Sequence, residues 1–168
     1  MIPGLYGPLF QAGYVTLDIE RATDLFRRTQ GVNDWFLSPT GTLPTRGGGM
    51  QVRVALAWMG DTMIEIIGCE GGDDGIFRQI LPRDEFAVRL HHIAFRLRDE
   101  AEWQAMLEGG RRHGYDLALS VETASTRAAY LDTRSALGHY VEYLYYFDEA
   151  RSSLPHIPQN RPASREAD

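Results

Sequence analysis

Four residues, Gln11, Glu65, His92 and Glu142, carry the chemistry this sequence offers. Two are carboxylates set in apolar runs, Met63-Ile64-Glu65-Ile66-Ile67 and Tyr140-Val141-Glu142-Tyr143-Leu144. A carboxylate buried without a partner is so unfavourable that it must be neutralised, paired or bound to a metal. One imidazole nitrogen and three side-chain oxygens suit a borderline or hard divalent cation. The two carboxylates balance its charge. An octahedral ion with these four ligands keeps positions open for water or substrate oxygens, the mark of a catalytic rather than a structural metal.

Taken singly, each residue has a plainer reading. A strand glutamate faces solvent, a glutamine makes surface hydrogen bonds, a histidine sits satisfied in a core. A repeat ties them together. The segment from Gln11 to Asp18 matches the segment from His92 to Asp99 at a constant offset of 81, and the match continues from Ala22, Leu25 and Phe26 to Trp103, Met106 and Leu107. Glu65 follows Gln11 by 54 residues and Glu142 follows His92 by 50, so both copies hold one polar residue early and one glutamate late.

The elements that must position these residues follow from periodicity. Around His92, Ile93, Phe95 and Leu97 point one way, and His92, Ala94 and Arg96 the other, as in a strand. On that alternation His91 faces away from His92. Asp18 and Asp99 stand where helix N-caps belong, and Asp99 with Glu102 has capping-box spacing. Gly31 and the pair Gly109-Gly110 supply stop signals. Further strands are expected at 33–38, 51–58 and 62–68, and at 116–122, 127–133 and 139–147. Hairpin turns are read at Met59-Gly60-Asp61 and Ala136-Leu137-Gly138. Both halves thus read βαβββ, an α+β chain. A single domain over 1–150 holds module one at about 9–70 and module two at about 90–147, with 71–89 as a linker, 40–50 as a loop carrying Gly47-Gly48-Gly49, and 151–168 as a disordered or loosely draped tail.

Composition narrows the chemistry. The chain has no lysine, all 17 basic residues being arginine, which excludes Schiff-base chemistry, a lysine base and a Walker-type phosphate loop. The net charge of −6, without a basic stretch, argues against nucleic acid and anionic membrane as partners. No apolar run is long enough to span a bilayer. Met1-Ile2-Pro3-Gly4 lacks a basic start and an apolar stretch, so no signal peptide is expected. The single Cys69 forms no internal disulfide, which suits a cytoplasmic protein.

With its strand-Asp-helix openings, His91-His92-Ile93-Ala94-Phe95 and two strand glutamates, the chain resembles the vicinal oxygen chelate superfamily over residues 9–147. That superfamily includes glyoxalase I, methylmalonyl-CoA epimerase, extradiol dioxygenases, and fosfomycin- and bleomycin-resistance proteins. Gly7-Pro8-Leu9-Phe10-Gln11-Ala12-Gly13-Tyr14-Val15 and Gly31-Val32-Asn33-Asp34-Trp35-Phe36 are similar to a glyoxalase-like subgroup near the epimerase. The resemblance implies two βαβββ modules forming a U-shaped mixed half-barrel, with helices packed outside, around one divalent metal ion (Zn, Ni, Co, Mn or Fe(II)) held by Gln11, Glu65, His92 and Glu142. Its implied chemistry is that of a lyase or isomerase: a small carbonyl or thioester substrate is chelated and a proton moves next to the carbonyl. Glu142 is the first candidate base, Glu65 the second. Arg96, on the face of His92, is a candidate for binding an anionic part of the substrate. Trp35, Phe36 and Trp58 line the pocket or pack the core. A homodimer is the expected assembly, and the cup closes either within one chain or across two. The rival readings are a resistance-type protein that binds a small molecule without chemistry, and an Fe(II) ring-cleaving dioxygenase, against which the replacement of a histidine by Gln11 counts.

Overall fold

The structure, a computed structural model, describes residues 9–44, 48–72, 75–147 and 154–161. The readings of Met1 to Gly4, of Gly7-Pro8, of Gly47 and of the tail's last residues lie outside it. Module one runs β1 (Leu9–Thr16), α1 (Ile19–Gln30), β2 (Phe36–Leu37), β3 (Gly41–Leu43), β4 (Met50–Met59) and β5 (Thr62–Gly72). After a short α2 (Gly75–Arg78), module two runs β6 (Arg89–Leu97), α3 (Glu100–Arg112), β7 (Leu117–Glu122), β8 (Thr126–Leu131), α4 (Arg134–Leu137) and β9 (Tyr140–Tyr146). A 3-10 turn at Leu154–His156 leads into β10 (Gln159–Asn160). Among the described residues no helix is long and apolar enough to cross a membrane.

One mixed sheet joins everything, in the order β10-β4-β5-β1-β6-β9-β8-β7, with β2 and β3 also on β4. It curls into a half-barrel. The modules meet at the antiparallel pair β1 and β6, where Gln11 lies opposite Ala94 and Gly13 opposite His92. Under the sequence repeat these two pairings are the same pairing, so a pseudo-twofold axis runs between them. The flanking parallel pairs obey it too: β5 sets Glu65 beside Gly13, and β9 sets Glu142 beside Ala94.

The two long helices form as their signals require. The Asp18 carboxylate accepts the Arg21 N–H at 2.9 Å and Asp99 accepts that of Glu102 at 2.9 Å. Glu102 reaches back to the N–H of Arg98 at 2.7 Å, one residue before the position a capping box uses. Gly31 ends α1 with a positive φ of 72°, a conformation that favours glycine. Gly109 and Gly110 do not end α3, which continues through them to Arg112. Their role is packing: a Cβ on Gly110 would press on the Leu131 side chain at 3.3 Å, so bare glycine lets α3 lie close on β8.

Apolar faces then place the layers. Ile19, Ala22 and Phe26 of α1 pack on Ala55, Ala57, Ile64 and Ile66. Trp103 and Met106 of α3 pack on Phe95, Leu97, Val141 and Tyr143. Both helices cover the outer face. The expectation that helices lie outside fails for α2. Its Phe77, with Leu81, is buried against Val15, Ile67, Tyr130 and Tyr140, on the inner face that also bears the glutamates. The linker therefore fills part of the cup.

Three more local expectations need correction. The strand expected at 33–38 shrinks to Phe36–Leu37, because Pro39 has no N–H for a ladder and Asn33 and Asp34 are bonded elsewhere. The Ala136-Leu137-Gly138 turn is the helical turn α4, closed by Gly138 at φ 80°. Part of the tail is not a loose drape but a paired strand. Trp58 N–H donates to the Pro158 carbonyl at 2.8 Å, and Asn160 Oδ1 accepts from Asn33 N–H at 2.8 Å and Asp34 N–H at 3.0 Å. This buried clamp holds Leu154 and Ile157 over Phe10, Met63 and Leu144, across one end of the cup.

Candidate metal centre

Each candidate ligand comes from its own strand, and the four strands β5, β1, β6 and β9 are neighbours in the middle of the sheet. Glu65, His92 and Glu142 present ligand atoms that all lie within 4.8 Å of one another. His92 Nε2 stands 3.2 Å from Glu65 Oε2 and 3.1 Å from Glu142 Oε2, so the two carboxylates converge on one ring nitrogen. Gln11 is buried beside them, and its amide works to lower the Glu65 carboxyl. All of these groups belong to one chain.

Small residues make the room. Gly13, opposite His92, lies directly under its imidazole: a Cβ there would overlap ring atoms Cε1 and Nε2. Ala94, fully buried, is the matching small residue opposite Gln11.

The hydrogen-bond accounts fit a cation. Among the described residues, three buried side-chain atoms lack a hydrogen-bond partner: Gln11 Oε1, His92 Nε2 and Glu142 Oε2. The last two are at ion-pair distance but out of hydrogen-bond alignment. Buried polar atoms are rarely left so. That these three belong to candidate ligands is what a divalent ion would satisfy. Glu65 is the most open of the three, its side chain 15% exposed against 3% for Glu142, so solvent reaches the group from its side.

Electrostatics agree. Burial pushes the Glu65 carboxyl up, against the pull of His92. Burial works against a charge on His92, yet the two carboxylates overcome it and raise its pKa from 6.5 to about 9. Without a metal a proton on His92 therefore does the neutralising, and a metal must displace it. Apparent affinity for a divalent ion should rise about tenfold per pH unit for one displaced proton, and level off above about pH 9. Because the folded pKa is the higher one, His92 stabilises the metal-free fold fully below about pH 6.5, and that contribution is lost as pH passes about 9. Calorimetric titration of a divalent ion across this range checks the slope; a flat profile would contradict the assignment of His92.

Two features escaped the sequence reading. His91 does not face away from His92. The β1–β6 register shifts between Gly13 and Tyr14, pairing His92 with Gly13 and Leu90 with Tyr14, so His91 is an extra residue in a bulge. Both imidazoles therefore turn inward, and His91 is stacked between Phe77 and Tyr140. Two adjacent histidines in an otherwise alternating strand were the available signal. Tyr130 of β8 is buried with its ring 5.2 Å from that of His92, and burial and the negative charges of Glu142 and Glu65 push its phenol up. Nothing in its sequence context distinguished it from an ordinary strand tyrosine. Arg96 is exposed, its guanidinium 5.4 Å above the Phe10 ring. Of the aromatic candidates, Trp58 packs edge-on to Phe10 in the cup, Trp35 packs on Phe26 outside it, and Phe36 is exposed.

Similarity to solved structures decides the fold's affiliation. Methylmalonyl-CoA epimerase from Mycobacterium tuberculosis matches with a TM-score of 0.60 at 15% identity, over 90% of this chain and 96% of that one. A hypothetical protein from Bacillus halodurans matches at 0.57 and 21% identity, over 83% and 94%. The chain has the vicinal oxygen chelate fold. A third solved structure with this fold, a variant of Streptomyces coelicolor methylmalonyl-CoA epimerase in complex with 2-nitronate-propionyl-CoA, matches at 0.56 and 17% identity, over 83% and 94%. No protein-family model and no curated protein sequence matches the chain. At these identities the vicinal oxygen chelate assignment speaks to the fold, and chemistry rests on the site itself.

Proposed function

We propose that the chain is a metal-dependent enzyme of the glyoxalase or epimerase kind, which moves a proton at the carbon next to a ketone or thioester carbonyl. The observation that carries this is the convergence of an imidazole and two carboxylates, with three buried atoms of the candidate ligands unbonded, at a point open on the Glu65 side. Gln11, Glu65, His92 and Glu142 would hold one divalent ion. When bound, it supplies Lewis-acid polarisation of the carbonyl oxygen, which acidifies the neighbouring C–H.

The chain's own residues do the rest. The two carboxylates come from opposite modules and flank a common point, an arrangement for taking a proton on one side and returning it on the other. Glu142 is the first candidate base, and its Oε2, which has no hydrogen bond to another side chain, would be free for the abstraction once substrate displaced it from the ion. Glu65, 3.2 Å from His92 Nε2 and nearer to solvent, would return the proton or exchange it with water. Tyr130, opposite Glu142 in the β8–β9 register, walls the site beside it. Arg96 is placed to take an anionic end of the substrate. The thioester ligand named with the Streptomyces epimerase makes acyl-CoA thioesters the first class to test, with small ketones beside them.

The test is deuterium uptake at the α-carbon, followed by NMR in heavy water, with methylmalonyl-CoA and a panel of ketones. Metal-loaded protein should exchange at least one of them, chelator-stripped protein should not, and readdition of metal should restore the rate. Equal exchange with and without metal, or failure of the purified protein to take up any divalent ion, would overturn the proposal.

A further inference from the structure

His91 is buried beside the metal centre without offering it a nitrogen, because both of its ring nitrogens are already engaged. Nε2 lies 3.0 Å from the backbone carbonyl of Ile76 in α2, and Nδ1 lies 3.0 Å from Nδ1 of His92. The ring is fixed between Phe77 and Tyr140, with centroid distances of 4.6 and 4.7 Å and both stacked.

These contacts dictate where the protons sit. A carbonyl oxygen only accepts, so His91 Nε2 carries a hydrogen and donates it to Ile76. Among the described residues no carboxylate is in contact with His91: Ile76 of α2, Phe77, Tyr130, Tyr140 and His92 surround it, and the charge above Tyr140 is the cation of Arg134. A buried imidazole so placed is neutral and holds a single hydrogen. Its Nδ1 is then an acceptor, and the hydrogen between the two Nδ1 atoms belongs to His92. With Nδ1 of His92 holding its hydrogen against His91, the proton that a metal displaces is the one on Nε2, and its loss leaves the Nε2 lone pair aimed at the point where Glu65 and Glu142 meet.

We propose that His91 is a positioning residue: it fixes His92 in the tautomer and orientation that present Nε2 to the metal, and it ties that choice to α2 through the Ile76 carbonyl. This inference rests on the proposed metal site and extends it. Metal-bound histidines are commonly oriented by a partner on the other ring nitrogen. Here the partner is the adjacent residue in the chain, turned inward by the β6 bulge, and its anchor lies in the segment between the modules. α2 is thus part of the support of the site.

The experiment compares wild type, His91→Phe and His91→Gln by cobalt(II) titration, read both as affinity and as the visible absorption of the bound ion. Phenylalanine keeps the stack between Phe77 and Tyr140 but loses both nitrogens, and affinity should fall by about 10- to 100-fold, with an altered spectrum. Glutamine offers an oxygen to His92 and an N–H to Ile76, and should recover most of the loss. Wild-type affinity in His91→Phe, or equal losses in both variants, overturns the role of His91. Absence of cobalt binding in wild type overturns the site itself. Long-range proton–nitrogen NMR of zinc-loaded wild type gives a reading independent of any variant's folding. His92 protonated at Nδ1 with metal on Nε2 supports the proposal; the reverse arrangement ends it.

Discussion

Glu142→Gln should lose both the metal and the reaction. The substitution keeps size and shape, so the loss reports charge and basicity rather than packing. Glu142 stands 3.1 Å from His92 Nε2 and is one of the two carboxylates that would balance a divalent ion. Groups that merely orient a ligand are worth about 10- to 100-fold in metal affinity, and a charged ligand should exceed the upper end of that range. Proton transfer should fall further, because an amide cannot accept the proton. Glu65→Gln should weaken metal binding less, since a glutamine oxygen remains on the open side of the site, while exchange with solvent at the α-carbon slows. Metal content by elemental analysis and deuterium uptake by NMR separate the two variants. Full metal and full activity in both would remove the site from consideration.

Gly13→Ala should be nearly as damaging, although Gly13 has no side chain to offer the site. Its added methyl would occupy the volume of the His92 ring at Cε1 and Nε2. The strand backbone cannot yield without breaking the β1–β6 pairing, so the ring must swing away. Overpacking of this kind costs about 1–3 kcal/mol in a core, and here it also removes the imidazole from the point where Glu65 and Glu142 converge. The expected result is a folded protein, moderately destabilised in urea, that no longer takes up the ion. An unchanged metal affinity would show that His92 need not lie over Gly13. Ala94, opposite Gln11, is the symmetric position, where a larger residue should displace the amide in the same way.

The repeat made the centre of the fold legible. A constant offset between Gln11 and His92, with a glutamate late in each half, is a statement about backbone register. The β1–β6 pairing of Gly13 with His92 and Gln11 with Ala94 is that same statement in space. Periodicity served well where a segment had one apolar face, as in α1 and α3. It served poorly where backbone irregularity or distant contacts decide. A bulge changes which way His91 points without changing any residue's preference for strand. α2 looks like linker because four residues of helix carry no periodic signal, yet Phe77 is among the most buried side chains. The pairing of Gln159 and Asn160 with β4 depends on hydrogen bonds to Asn33 and Asp34, more than 120 residues away in the chain. Tyr130 was invisible because its partner, Glu142, is defined only by the β8–β9 register that puts them opposite each other.

The placement of one candidate ligand on each of β5, β1, β6 and β9 separates inheritance of shape from inheritance of chemistry. Peptide groups zip those strands together, and the ligand side chains take no part in the zip. A lineage built on this scaffold can swap an imidazole for an amide, or an amide for a carboxylate, one tooth at a time, and keep a folded cup at every step. Changes of preferred ion, or abandonment of the ion in favour of simple ligand capture, are therefore short evolutionary moves from this sequence. What such a lineage cannot easily vary is the smallness of the residues facing Gln11 and His92, since they set the space into which any replacement must fit.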